Sequence, residues 1–434
     1  MTHSPRSIIE RNVQDAAKRM SLDLDQPDAE FELRRLIDDE IEQWQSDHRR
    51  GLRDVAIASP ERVADRTFDD IARYGPLTAL LDDDDVWEVM INNPSSIFVK
   101  RHAGPSGYHD DGFIDDDHVV RTLTRLLDRS AGSHRKLDIS EGLQDAQLDS
   151  GARLHIVHGD IARGGHLIVN IRKFTGISFT RLDELVSREM ISPLAARFLT
   201  ACVHGRQSIV FAGVPGSGKT TLLNCCAAEL DPTLRVVTAE EVFEADLPIP
   251  NVASMQTRPA RPDRPGVDLR RLVSGFLRMA PDVAIVGEVR DREALPLLLT
   301  LSSGVKGYTT IHAGSARQAL TRLRFICQLS DTASEIPLSA LNTLVSEAID
   351  VVVHTDRGPQ GPEVMSILCV EDMAGGTEAV QFTVTEVFHR VRHGHPIEWT
   401  GQLPIRLLAA CDRRGIDLRS LFAQASSHRL EATP

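Results

Sequence analysis

Between Gly213 and Thr220 the chain reads GVPGSGKT: a glycine, four residues, a second glycine, then a lysine and a threonine. An apolar run, QSIVFAG, leads into it and a helix-favouring run, KTTLLNCCAAEL, leaves it. That strand–loop–helix setting is what a phosphate-cradling loop needs, because its backbone N–H groups must converge on oxygens beside a helix N-terminus. Gly213, Pro215, Gly216, Ser217, Gly218, Lys219, Thr220 and Thr221 are therefore expected to hold a nucleotide. Lys219 would reach its β- and γ-phosphates, and the Thr220 hydroxyl would ligate Mg²⁺.

A second apolar run, VAIVGEV over 283–289, carries an acid, Glu288, near its end. Four apolar residues before an acid at a strand's C-terminal end describe a Walker B element, at the edge where open α/β sheets bind ligands. Glu288 there would polarise the attacking water or hold the Mg²⁺ shell. Glu240, Glu241 and Glu244 follow another apolar strand, RVVTAE. They could hold Mg²⁺, orient water or simply cap a helix. His312 ends the β-rich segment YTTIH, where a lone histidine is more often structural than functional.

The elements that must position these residues are legible from periodicity. From about residue 187 onward, apolar strands alternate with helices and glycine-rich turns, the pattern of a parallel α/β sheet. Residues 1–58 read as helical: Phe31, Leu33, Leu36, Ile37, Ile41 and Trp44 fall largely at helical spacing, suited to a small bundle or a partner-binding arm. Residues 59–174 mix helical spacing with short strands such as WEVMIN and IFVKR, an α+β domain, and residues 175–186 form a linker. The acidic run Asp82–Asp85 lacks the glycine and closing glutamate of a calcium loop and is best taken as a solvated turn.

With 434 residues, two or three domains are expected. No apolar run reaches the roughly 18–20 residues of a membrane span, and the first twenty residues contain no signal-peptide core. A net charge of −13 disfavours broad adhesion to nucleic acid, although a local basic channel stays compatible with it. The six cysteines form no CxxC pair, which points to buried thiols rather than a disulfide frame or zinc site.

Taken in order, these blocks resemble the type II/type IV secretion ATPase superfamily, and most of all its CpaF/TadA branch, which serves tight-adherence (Flp-type) pilus assembly. The likeness spans about Tyr74 to Thr355. Its most specific part is LRMAPDVAIVGEVRDREAL, followed by TTIHAGSARQAL, EVMINNPSSIFVKR and the pair VNIRKF and SFTRLDELV. The resemblance implies a RecA-like ATPase domain (187–434) after a PAS-like α+β domain. It makes Glu240 and Glu244 the acidic box, with Glu240 beside Mg²⁺, Glu288 the Walker B glutamate and His312 the His-box histidine. Arg153 and Arg172 match interdomain arginines that reach phosphates across a cleft, unless they are seam salt bridges. Four positions depart from the family pattern: Glu241 replaces an aspartate, Val305 a histidine, Ala280 an arginine and Gly314 an asparagine. A tetracysteine insertion found in other branches is absent, which favours the CpaF-like one.

The implied function is a hexameric motor, peripheral at the cytoplasmic face of the inner membrane. It would spend ATP against a membrane platform protein to assemble a pilus or secrete protein. A conjugation or type IV secretion ATPase is the alternative. A nucleic-acid translocase finds little support in an acidic chain with 5% aromatic residues, so no direct nucleic-acid partner is expected.

Overall fold

The computed structural model describes all residues except 1–4, 25, 27, 103, 131–136, 139, 141, 174–178, 259, 261–263, 330–335, 373–380 and 424–434. The chain forms two compact units, Met1–Ile177 and Ser178–Pro434. The expected domain boundary at Phe174 and the first part of the expected linker lie outside the described residues.

The first unit opens with helices α1 (Pro5–Arg19), α2 (Ala29–Arg49) and α3 (Pro60–Ala72). Ile9, Val13, Leu33, Ile37, Ile41, Trp44, Phe68 and Ile71 form their common core. The helical region is thus a bundle, and it continues past residue 58 because α3 supplies one of its walls. Phe31, counted with the apolar stripe, is 72% exposed instead. After α4 (Thr78–Asp82) come β1 (Val86–Asn93), β2 (Ser96–Arg101), β3 (Gly107–Tyr108), α5 (Asp116–Asp128), β4 (Leu143–Gln147), β5 (Arg153–Val157) and β6 (Ile168–Arg172). The six strands make one antiparallel sheet in the order β3-β2-β1-β6-β5-β4. Alternate residues such as Val89, Ile91, Ile97, Val99, Leu154, Ile156, Val169 and Ile171 join Leu123 and Leu127 of α5 in its core, the period-two pattern of a sheet covered on one face.

A buried polar cluster ties α1, α3 and α5 together. Arg6 grips the fully buried Asp70 with Nε at 2.9 Å and Nη2 at 2.6 Å, and reaches Asp111 at 3.3 Å. His118 Nδ1 accepts from the Ile114 N–H at 3.3 Å, which leaves its Nε2 proton facing Asp70 Oδ1 at 3.4 Å. Burial pushes Asp70 up to about 7 despite Arg6, with Glu10 and Asp111 adding to the rise. Burial, reinforced by Arg121, Arg6 and Arg125, pushes His118 down to about 3, so its ring is neutral.

The second unit begins with α6 (Leu182–Ser187) and α7 (Pro193–His204). Leu182 and Leu185 are buried in its core, so this end of the expected linker is part of the domain. Then come β7 (Ile209–Gly213), α8 (Lys219–Ala228), β8 (Val236–Glu240), β9 (Val252–Gln256), α9 (Leu269–Val273), β10 (Val283–Val289), α10 (Ala294–Ser302), β11 (Lys306–Ile311), α11 (Ala316–Gln328) and α12 (Leu338–Ala348). The chain continues through β12 (Val351–Gly358), β13 (Gly361–Val370), β14 (Val384–His389), β15 (Glu398–Trp399) and α13 (Ile405–Asp412). The sheet order is β15-β14-β13-β12-β7-β11-β10-β8-β9. Strands β12, β7, β11, β10, β8 and β9 run parallel, as expected. Strands β13–β15 extend the sheet antiparallel, which the sequence reading did not foresee. β7 is buried along its whole length and separates two apolar layers, one holding Phe211, the other Val210 and Ala212. The six cysteines are all buried thiols. Among the described residues no helix is long and apolar enough to cross a membrane.

Candidate nucleotide site

The phosphate loop leaves β7 at Gly213 and enters α8 at Lys219. A Cβ on Gly213 would lie 2.2 Å from the Thr355 carbonyl oxygen, so β12 presses the loop where only glycine fits. Gly216 (φ 74°) and Gly218 (φ 83°) take the left-handed backbone that turns successive N–H groups inward. Ser217 Oγ meets Thr355 Oγ1 at 2.9 Å, and Arg357 Nη1 donates to the Gly216 carbonyl at 3.1 Å. Thr355 and Arg357 brace the loop from β12, 138 and 141 residues away in sequence. Sequence reasoning missed both, since nothing local marks a distant strand as the loop's neighbour. Pro215 and Thr221 belong to the loop and to the first turn of α8.

Lys219 is 7% exposed; its Nζ donates to the Val214 carbonyl at 2.9 Å and lies 3.3 Å from His312 Nδ1. His312 follows β11 directly, at the same sheet edge as the loop. Its Nε2 is 2.7 Å from Glu288 Oε1. The arrangement favours the tautomer with the proton on Nε2, facing the carboxylate, and with Nδ1 accepting from Lys219; the Gly213 carbonyl also lies 3.2 Å from Nδ1. Glu288 Oε2 accepts from Arg290 Nη2 at 2.5 Å, and Arg290 Nη1 donates to Glu241 Oε2 at 2.9 Å. The result is a continuous run of opposed donors and acceptors: Lys219, His312, Glu288, Arg290, Glu241.

A register shift in β10 between Val286 and Val289 brings Glu288 to this edge. Burial pushes the Glu288 carboxyl up, but contacts from His312 and Arg290 outweigh that and hold it at about 2. Arg290 was not singled out beforehand, although it stands two residues after Glu288 in the quoted GEVRD block.

The acidic box closes the site. Glu240 ends β8 and is 2% exposed; its Oε1 accepts from the backbone N–H groups of Glu244 and Ala245, both at 3.0 Å. Residues 241–250 form no helix, so this is not the helix cap left open from sequence but a bond that fixes the loop carrying Glu244. Thr220 Oγ1 donates to Glu244 Oε2 at 3.3 Å, so the hydroxyl expected at a metal sits against this carboxylate. The set is hard oxygen donors beside a phosphate loop, which suits Mg²⁺ rather than a softer metal.

The fold brings the phosphate loop, Glu240, Glu244, Glu288 and His312 to one edge of one sheet. Arg153 opens β5 and Arg172 closes β6, paired across the first unit's sheet. Of the departures, Ala280 takes a left-handed backbone (φ 51°) and Val305 packs against the core. A Cβ on Gly314 would meet Gln318 Oε1, whose oxygen accepts the Gly314 N–H at 2.7 Å.

The type II/IV secretion system protein family matches residues 70–355. The chain belongs to that family, whose members are ATPases. It is 31% identical to the type IV secretion system protein PtlH of Bordetella pertussis over 325 residues, 69% of this chain and 93% of that one. It is 29% identical to the conjugal transfer protein TrbB of Rhizobium radiobacter over 310 residues, 68% of this chain and 87% of that one. Among solved structures it is similar to the VirB11 ATPase of the Brucella suis type IV secretion system, at 27% identity and TM-score 0.36, covering 67% and 94% of the two chains.

Proposed function

We propose that the chain is the ATP-hydrolysing motor subunit of a pilus-assembly or secretion machine, catalysing ATP + H₂O → ADP + phosphate. The observation that carries this reading is the unbroken contact from Lys219 through His312 and Glu288 to Arg290 at the ligand edge of the sheet. Lys219 Nζ donates to the Val214 carbonyl; an incoming phosphate offers it a full charge instead, and the lysine would exchange partners. Thr220, Glu244 and Glu240 would hold Mg²⁺, which neutralises developing phosphate charge. A carboxylate held at about 2 is a poor proton acceptor, so Glu288 acts in this geometry by orienting and polarising water. Release from Arg290 would make it more basic, which links its chemistry to movement of that arginine.

Arg153 and Arg172 are proposed to complete the site from the first unit, offsetting transition-state charge as planar cations. Borrowed arginines make hydrolysis depend on closure, and a repeating heterologous interface closes into a ring, proposed here as a hexamer beneath a membrane platform. The family-like blocks and the absent tetracysteine insertion favour a tight-adherence pilus system. A conjugation or type IV secretion channel is the second reading, supported by the names of TrbB and PtlH.

Lys219→Ala is expected to reduce phosphate release nearly to background and to weaken nucleotide binding; turnover within threefold of wild type would remove the loop from the chemistry. Arg172→Ala and Arg153→Ala should lower turnover of the full chain while leaving its affinity for ADP unchanged, as measured by fluorescence titration. Unaltered turnover in both would return them to a structural role.

A further inference from the structure

The parallel strands carry a second concentration of charge at their N-terminal ends, the opposite sheet edge from the phosphate loop. Strands β7, β11 and β12 are neighbours, so Arg206 before β7, Lys306 at the start of β11 and Asp350 before β12 converge there. A cavity of about 430 Å³ opens among them, lined also by Arg406 of α13 and by Arg413 and Arg414 just after it. Five cations therefore face one space.

Their compensation is incomplete. Asp350 is 7% exposed and already committed: Oδ2 accepts from the Ser208 N–H at 2.8 Å and from Lys306 Nζ at 2.7 Å, and Oδ1 from Arg406 Nη2 at 3.2 Å. Arg206 lies 3.5 Å from Asp282. Arg413 and Arg414 are exposed, with no carboxylate of the described residues within 4.0 Å. Arg206 is held in place by a left-handed backbone (φ 52°), uncommon for a residue with a side chain. On a chain of net charge −13, gathering five cations around Asp350, Asp282 and the exposed Asp372, which lies 4.0 Å from Arg406, creates a local field opposite in sign to the whole.

We infer that this cavity binds a phosphate-bearing anion, distinct from the nucleotide at the other edge of the sheet. Guanidinium forks match phosphate oxygens, Arg413 and Arg414 supply uncommitted charge, and Lys306 and Arg406 are fixed by Asp350 in the wall. The phosphate could be that of a lipid headgroup or of a soluble ligand.

The test uses the full chain in saturating ADP, which keeps the phosphate loop filled, with inorganic pyrophosphate as probe in calorimetric titration. Arg413→Glu/Arg414→Glu should bind at least about tenfold more weakly, the worth of one or more charge-assisted hydrogen bonds. The charge-matched control Arg49→Glu/Arg50→Glu, two exposed residues of the first unit, should bind like wild type. Unchanged thermal melting and basal hydrolysis would establish that the Arg413/Arg414 variant is folded. In parallel, sedimentation with phosphatidylglycerol-containing vesicles, against phosphatidylcholine alone, identifies the source. Charge-dependent vesicle binding lost in the Arg413/Arg414 variant assigns a lipid headgroup, and pyrophosphate binding without vesicle binding assigns a soluble ligand. Wild type that binds neither probe, or equal losses in both double variants, would overturn the site.

Discussion

The same three side-chain types meet twice in this molecule, with opposite electrostatic results. In the first unit Asp70 lies between Arg6 and His118; in the second Glu288 lies between Arg290 and His312. Asp70 is raised to about 7 and Glu288 lowered to about 2. Depth accounts for much of the difference. The Asp70 side chain has no exposure, and burial there outweighs even a two-nitrogen grip from arginine. Glu288 keeps 19% of its surface, and Arg290 bonded to one oxygen with the His312 ring 2.7 Å from the other outweighs burial. Neighbours reinforce both outcomes: Asp70 has Glu10 and Asp111 nearby, whereas the acid near Glu288, Glu241, is joined to it through Arg290. Burying a carboxylate makes a cross-brace between helices; leaving it at a sheet edge keeps it ionised and reachable.

The largest test of this contrast is chemical. Glu288→Gln should retain nucleotide binding and lose roughly 10²- to 10³-fold in hydrolysis, the order lost when one preorganised polar group at a reacting centre is removed. Failure to bind a fluorescent ATP analogue would reassign Glu288 to metal retention or folding.

Removing the two arginines should separate stability from activity. Arg6→Ala leaves Asp70 buried without its partner and should destabilise the first unit by about 3–5 kcal/mol in denaturant unfolding. Arg290→Ala removes a side chain 44% exposed and should change stability by no more than about 1 kcal/mol while altering turnover. Equal stability losses would show that the second triad is also a brace.

The smallest effect is in pH. Folded Asp70 holds its proton up to about 7, against 3.8 ordinarily, so stability from this group falls as pH rises from about 4 to about 7. Folded Glu288 sheds its proton already near 2, against 4.5 ordinarily, so its contribution is present above about 4.5 and lost as pH falls towards 2. Melting curves of Asp70→Asn and Glu288→Gln, each compared with wild type across its own window, should differ from it with opposite slopes. Slopes of the same sign would mean one of the two environments is misassigned.

Much of the site was legible because its parts are local. A phosphate loop needs glycines, a lysine and a hydroxyl within eight residues between a strand and a helix, and GVPGSGKT at 213–220 states all of that in one stretch. Glu288 and Glu240 were legible because an apolar run that ends in an acid also says where the acid goes, to the strand's C-terminal edge. Periodicity likewise marked the helices of the start and the parallel α/β core, but not that α3 completes the first bundle. Tertiary structure alone decided which residues touch. Thr355 and Arg357 reach the loop because β12 inserts beside β7, a choice of strand order that no local pattern encodes. Arg290 became a partner of Glu288 and Glu241 only once β8 and β10 lay side by side. The cations of 206, 306, 406, 413 and 414 share one cavity for the same reason: sequence fixes a side chain's charge, but adjacency in a sheet fixes its neighbours.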